Sequence, residues 1–385
     1  MIKLAIAVGR GANAKSSWKN RVFTWSDFLK KIENTHYTHE SVNEYLTFQK
    51  PEQDKIKDVG GYVAGYLNNG RRRIEDVMIR SALTLDLDFA PYDIFDDITL
   101  LWGCALAIHS THKHRPDNPR YRLIVPLDRE VTPDEYVAIA RKFAASINIE
   151  YFDPTTFDVN RLMFWPSTSK DGEYIFEYQD GPALSADKIL GLYRNWRDIS
   201  EWSFAESVIN KVNKERGKRQ ENPLLKNNIV GYFCEAYDIH EAIAEFLPDK
   251  YEIADNDDRY TYLLGSCSAG LVTYDDIFAY SHHGTDPATG QLCNAFDLVR
   301  IHKFSELDAE DSISRSYKAM SEFARNLAPV KRVAAKSIVK DFDEFVEPLK
   351  NEPETEQPER SEKVGKGRVQ THLKRRLTRT IGAKN

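Results

Sequence analysis

Apolar and polar positions divide the chain into short elements with two different periods. Met1 to Val8, MIKLAIAV, is apolar and β-prone and stops at Gly9-Arg10-Gly11. Trp25-Ser26-Asp27-Phe28 opens a helix that continues through Leu29 and Ile32, with Ser26 as its cap. Ser81 to Ala90, SALTLDLDFA, carries the apolar run Leu83 to Leu87, interrupted by Asp86 and followed by Asp88. A strand alternates its side chains, so Leu85 and Leu87 point into a core while Asp86 and Asp88 share the other face. Asp93 to Trp102 follows as a short helix and Cys104 to Ile108 as a buried strand. A turn rich in Pro, Asp and Asn at 113–119 leads to Arg120 to Leu127, the returning strand of a hairpin. Thr132-Pro133-Asp134-Glu135 is a capping box with Pro at the first helical position, and its helix runs to about Ile147. Arg161 to Pro166 and Glu173 to Tyr178 are two further strands.

The second half is organised differently. Ser203 to Asn222 is charged and helical, with Lys211 to Arg219 as an exposed linker helix or basic loop. From Pro223 a new unit begins with a helical stretch, Asn228 to Phe246. Short strands are expected at Tyr251 to Asp258, Arg259 to Gly265 and Ile277 to Tyr280, then a helix from Cys293 to Phe304. Residues 346–364 are rich in Pro and Glu and read as a linker, and Arg368 to Lys384 is a basic tail. The expected division is a first domain over 1–200, a linker over 201–222, an accessory domain over 223–345, and a linker with basic tail over 346–385.

Composition narrows the class. With 385 residues, 41% hydrophobic and 29% charged, the chain suits a soluble globular protein with a sizeable core. No apolar run approaches the roughly 20 residues of a membrane span, and the N-terminus lacks a signal peptide's layout. Cys104, Cys234, Cys267 and Cys293 stand far apart, which argues against a disulfide framework and fits a cytoplasmic protein. Residues 361–385 hold eight Lys/Arg and one Glu, a local charge of +7, so the rest carries −6 − 7 = −13. Nucleic-acid binding depends on local patches, and the overall charge gives it no support.

Three sets of polar residues fall on or beside successive β segments. Asp86 and Asp88, fixed side by side, repel and raise each other's pKa unless a cation lies between them, and hard divalent ions such as Mg²⁺ or Mn²⁺ take oxygen ligands. An isolated D-x-D is more often a strand edge with two solvated acids. Ser110 and His112 also stand at i and i+2, where a core strand ends. Arg120 and Arg122 share a face of the returning strand. Phe152-Asp153 and Phe157-Asp158 lie in an acidic loop ahead of Arg161. Val59 to Arg73, VGGYVAGYLNNGRRR, sets glycines before three arginines including Arg72. That suits approach to a phosphate, or a tight turn with a solvated basic rim. No P-loop motif occurs. Acids for two metals, with imidazole and arginine for phosphate, are what nucleotidyl transfer uses.

These motifs resemble the archaeo-eukaryotic primase superfamily, whose signature is D-x-D, then S-x-H, then a hydrophobic residue plus an acid. LDLD at 85–88, STHKH at 110–114, PRYRLIVPL at 119–127 and RLMFWPSTS at 161–169 resemble its phage and mobile-element branch, in the N-terminal part of virulence-associated protein E family proteins. The likeness is expected to span residues 1 to 345. It implies an α/β (α+β) primase catalytic core with a module resembling an RNA-recognition motif, followed by a smaller helix-plus-β-ribbon module. It implies catalytic metal, Mg²⁺ or Mn²⁺, on Asp86, Asp88 and a third acid, Asp153 ahead of Asp158. His112 would contact nucleotide phosphate, within a nucleotide site of Ser110, His112, Arg122, Arg161 and Arg72. The activity implied is that of a DNA primase or primase-polymerase working on single-stranded DNA with NTP or dNTP. Without an ATP motor of its own, the chain would need a separate helicase. The alternative is a replication accessory that keeps the fold, binds DNA and recruits that helicase. A His-x-His nickase using His112 and His114 fits badly, because Lys113 stands where an apolar residue is wanted. The order of elements after residue 250 resembles the zinc ribbon of bacterial replicative primases. His282, His283, Cys293 and Cys267 would be its ligands, with a metal-free descendant placed ahead of a zinc-binding one.

Overall fold

The computed structural model describes residues 1–11, 17–218, 222–254, 258–308 and 313–346, with 338–346 described by backbone alone. The segment bearing the two acids is its longest strand together with the returning strand. Val77–Leu87, the acid strand, lies in a five-stranded antiparallel sheet. Across that sheet the order is Phe176–Gln179, Leu106–Ser110, Tyr121–Val131, the acid strand and Gly65–Leu67. Tyr121–Val131, the arginine strand, sets Arg122 opposite Asp86 on one side and opposite His109 on the other. Acid strand, helix Ile94–Leu101, strand Leu106–Ser110, arginine strand and helix Pro133–Ile147 give the β-α-β-β-α order of an RRM-like module, with its third strand in the middle. The flank beside the acid strand is filled by the preceding strand Gly65–Leu67, and Phe176–Gln179 flanks the opposite side.

Strand alternation decides what each face of this sheet meets. Leu83, Leu85 and Leu87 are fully buried and pack with Val125, Ala140 and Phe143, on the side of the long helix. Ala82, from the alternate set, packs with Ile124, Leu4, Ile6, Phe28 and Tyr62. That face lies against a second sheet, ordered Lys19–Thr24, Lys3–Gly9, Gly61–Val63 and Met163–Phe164. Each fully buried leucine contributes roughly 1.5–3 kcal/mol. Asp86 belongs to the same alternate set as Ala82 and Thr84, so it points between the two sheets.

Several local expectations are corrected. The first helix, Trp25–Ile32, is capped by Thr24, whose hydroxyl accepts the Asp27 N–H at 3.1 Å, while Ser26 lies inside the first turn. The capping box at Thr132 forms as expected, with both reciprocal hydrogen bonds to Glu135. The glycine-rich stretch makes two short strands, Gly61–Val63 and Gly65–Leu67. A Cβ on Gly65 would stand 2.0 Å from the Ile79 carbonyl oxygen, and one on Gly61 would stand 2.6 Å from that of Met163. These glycines serve close strand approach.

The second half has its own core, including Phe233, Phe246, Phe296 and Leu298. The single helical stretch expected over 228–246 is two helices, Ile229–Ala236 and Ile239–Phe246, because Asp238 caps the second in a box with Glu241. A five-stranded antiparallel meander follows: Tyr251–Ile253, Arg259–Tyr262, Leu271–Tyr274, Phe278–Ser281 and Leu292–Asn294. The third of these strands is missing from the sequence reading, and Cys293 lies in the last strand, ahead of the helix Ala295–Phe304. Helix Glu206–Arg216 occupies much of 201–222. The two halves meet through partly buried contacts: Ser266 donates from its N–H and hydroxyl to Asp134 Oδ2, both at 2.8 Å, and Ile199 N–H donates to Ser268 O. Met1–Ser337 form one compact unit; of Ile338–Asn385, the end of the helix Ala328–Val346 is described. The rest of the expected linker and the basic tail lie outside the described residues. No helix among the described residues is long and apolar enough to cross a membrane.

Replacing Gly65 by Ala forces a Cβ into backbone, whereas nothing lies within 4 Å of a Cβ on Gly103. Gly65→Ala is expected to lower the unfolding midpoint by several degrees, and Gly103→Ala to leave it within about a degree. Equal midpoints for the two variants in a thermal melt would contradict the close-approach account.

Candidate active site

The acid strand delivers Asp86 at its end and Asp88 just beyond it. The loop after the long helix is stitched onto that end by main-chain bonds. Asp88 and Phe89 N–H donate to Tyr151 O, Asp153 N–H donates to Asp86 O at 3.0 Å, and Asp86 N–H donates to Thr156 Oγ1 at 2.7 Å. Asp153 is thereby brought beside the first two acids, and its Oδ1 caps the following turn through Thr155 N–H. A cavity of about 210 Å³ is lined by Asp86, Asp88 and Asp153 together with Arg120, Arg122 and Arg161. His112, Lys57 and Lys113 also line it.

The acids are held by arginines. Arg122 Nε donates to Asp86 Oδ1 at 2.8 Å, and its Nη1 donates to Phe164 O. Arg161 Nη2 stands 2.8 Å from Asp153 Oδ2 and 4.0 Å from Asp86 Oδ2, and Arg120 pairs with Asp88. Burial acts against the Arg122 charge, but Asp86 outweighs it and holds its pKa above the ordinary value. Burial also pushes the Asp88 carboxyl up, and the charges of Asp86 and Asp153 add to this against the pull of Arg120. His109, fully enclosed next to Arg122, is driven down to about 3, first by burial and then by that guanidinium.

His112 lines the cavity with both ring nitrogens engaged. Nδ1 lies 2.9 Å from Ser167 Oγ and Nε2 3.1 Å from Glu40 Oε1, while Tyr45 packs on the ring. Burial pulls its pKa down and Glu40 works against this. Glu40 also accepts from the hydroxyls of Thr38 and Ser169. Glu40 escaped the sequence reading because it stands 72 residues from its histidine, with no motif around it. Arg80 escaped it too. Fully buried, it donates to Ala64 O, Val159 O and Thr84 Oγ1 and stacks on Tyr136.

Other expected site residues fall elsewhere. Ser110 does not share the cavity: its buried hydroxyl accepts the Ile175 N–H. His114 turns to Glu173 and accepts Arg120 N–H, so the two histidines of His-x-His diverge. Asp158 is exposed and does not line the cavity, which leaves Asp153 with the pair. Arg72 lines a different cleft. The four zinc candidates do not assemble. Cys267 packs in the first core and Cys293 in the second, His283 Nε2 accepts Tyr262 N–H, and His282 lies on Phe204.

Among the described residues, no three His, Cys, Asp or Glu groups are grouped so as to hold a metal ion. In donor chemistry, Asp86, Asp88 and Asp153 nevertheless fit a hard divalent cation, being three carboxylates on one cavity. Burial is the main reason the Asp88 carboxyl stands above its ordinary value, with the neighbouring acids adding to it. A cation there would have to displace arginine contacts, with Asp88 the most exposed of the three acids and Asp86 the least.

An antiparallel sheet with three acids at one end, backed by a second sheet, and a helix-and-meander module make this a mixed α/β protein, with all of them inside the compact unit Met1–Ser337. Residues 2–205 match the family model of the VapE N-terminal domain, over half of the 385 residues, and the chain belongs to that family. The match ends at 205, short of the 345 expected from the motifs. No curated protein matches the sequence. Similar solved structures include the AEP domain (PP-N190) of the cyanophage S-2L primase-polymerase (PrimPol), 11% identical, covering 49% of this chain and 88% of that one at a TM-score of 0.27. Primase RepB' is 10% identical, covering 87% and 93% respectively at a TM-score of 0.28.

The buried imidazole gives a pH signature. A histidine with a folded pKa near 3 against 6.5 unfolded leaves the unfolded chain binding more protons below pH 6.5, so stability falls as pH drops from there towards 3. For His109 the loss between pH 7 and 5 is about 2 kcal/mol. His109→Gln is expected to flatten that part of a denaturant-midpoint profile. An unchanged slope would contradict the assignment.

Proposed function

We propose that the chain is a nucleotidyltransferase of DNA replication, a primase or primase-polymerase that joins NTP or dNTP on a single-stranded DNA template. The observation that carries this reading is the convergence of Asp86, Asp88 and Asp153 on one cavity with His112 and several cations. The three carboxylates would hold Mg²⁺ or Mn²⁺, which supplies activation of the attacking hydroxyl and charge neutralisation on the transferred phosphate. Arg161, Lys57 and Lys113 offer positive charge to a triphosphate. His112 would contact phosphate once one of its two bonds, to Glu40 or Ser167, is exchanged. At about 210 Å³ the cavity is smaller than the roughly 300–1,000 Å³ of sites that enclose a whole small ligand, so it takes the reacting phosphates and leaves base and sugar outside. The second half would help hold the first nucleotide, which has no primer strand to position it. A separate helicase would open the duplex, and the reaction would take place in the cytoplasm.

The pairing of every acid with an arginine favours a second reading, a DNA-binding replication accessory with weak catalysis that recruits the helicase. Primer-free single-stranded DNA with labelled nucleotides and Mg²⁺ or Mn²⁺ separates the readings. Extension products support the enzyme, a gel shift alone supports the accessory, and a cut strand joined to tyrosine supports the nickase.

The ion pairs also separate the two acids of the D-x-D. Asp88 is partly exposed with Arg120, so Asp88→Asn is expected to abolish synthesis at nearly unchanged stability. Arg122 is buried, and Asp86→Ala would strand its charge at a cost of about 3–5 kcal/mol. Repulsion between the acids, which would make both substitutions cheap, is outweighed at Asp86. Near-normal synthesis by a folded Asp88→Asn would overturn the proposed site.

A further inference from the structure

A second, larger cleft has no role in the proposed chemistry. It measures about 720 Å³, within the range that encloses a whole ligand, and its walls come from both halves of the chain. Arg72, Arg73 and Asn160 line it from the first half, and Lys250, Arg300 and Thr285 from the second. Most of these charges are spoken for: Arg73 pairs with Glu75, Arg300 with Asp297 and Asp308, and Lys250 with Asp249. Arg72 is different. Among the described residues it has no carboxylate partner. Its Nη1 donates to Asn160 O at 3.0 Å, it lies over the Trp18 ring, and its buried Nε has no hydrogen-bond partner. From the second half, the buried Thr285 hydroxyl is also without one. Leaving a buried guanidinium donor and a buried hydroxyl unpaired is unfavourable unless a ligand pairs with them. Burial and the nearby Arg161 both weigh against the Arg72 charge, and an arriving anion would relieve both.

The cleft and the acid cavity adjoin. Arg72 is bonded to Asn160, and the next residue, Arg161, reaches Asp153 and Asp86. We propose that this cleft is a second phosphate-binding site, in which Arg72 and Thr285 hold the phosphate of a nucleic-acid strand or of a second nucleoside triphosphate leading to the acids. A guanidinium fork matches phosphate geometry, and walls from two halves let the site set the distance between a held phosphate and the reacting one. The glycine-rich stretch thus meets phosphate through its arginine run, while its glycines pack strands.

The inference rests on the nucleotidyltransferase reading for its purpose, but binding alone tests it. With the full chain, a labelled oligothymidylate is followed by fluorescence anisotropy over a salt series, and ATP by equilibrium dialysis without template. Arg72→Ala is expected to weaken the bound probe about tenfold and, for the oligonucleotide, to lower the slope of log affinity against log salt by about 1. Lys250→Glu, in the same cleft and partly exposed, is expected to weaken the same probe. Loss confined to oligothymidylate assigns a strand, and loss confined to ATP assigns a triphosphate. If Arg72→Ala does not fold, Lys250→Glu decides. Wild-type binding of both probes by the folded variants overturns the site, even if primer synthesis is intact. Arg72-dependent binding by a chain that makes no primer upholds the cleft while the enzymatic reading fails.

Discussion

The ion pair between Asp86 and Arg122 fixes where everything else in the first half can stand. It joins neighbouring strands in register, 2.8 Å apart, at a point where both side chains are nearly closed off from water. A buried charge left alone costs several kcal/mol, so neither strand can slip without stranding one partner. A one-residue slip would also turn Leu83, Leu85 and Leu87 out of the helix-side core. Hydrophobic alternation and charge pairing therefore demand the same register.

From that fixed point the site assembles by short steps. Arg120 precedes Arg122 by the spacing at which Asp88 follows Asp86, and because the strands are antiparallel the second acid meets the second arginine. The loop after the long helix is tied to the end of the acid strand through Asp86 O and Tyr151 O, which places Asp153 and, eight residues on, Arg161. Three acids, each paired with an arginine, then line one small cavity.

What could be read from the sequence was what local rules control. Period-two alternation marked the acid strand and the arginine strand, and the Thr132 box marked the start of the long helix. The i, i+2 spacings led to acids and arginines that line one cavity, Asp88 and Arg120 standing one residue beyond their strands. His112 also reaches the cavity from two residues beyond its strand, whereas Ser110, still in the strand, is turned to Ile175. The glycines were misleading, since the backbone they approach at Ile79 and Met163 is invisible locally. Of the zinc candidates, Cys267 packs in one core and Cys293 in another, a separation that residue spacing does not reveal. Glu40 and Arg80 act through contacts that only the folded chain creates.

The central claim is that these arginine-held carboxylates exchange their partners for a divalent cation when a nucleotide arrives. Titrating Mn²⁺ into the full chain while following the electron paramagnetic resonance signal of the free ion tests this directly. With a nucleoside triphosphate present, the account predicts that the chain removes free Mn²⁺ beyond what the nucleotide binds alone, and that Asp88→Asn loses this uptake while remaining folded. Equal uptake by wild type and Asp88→Asn, or none by either, would contradict it.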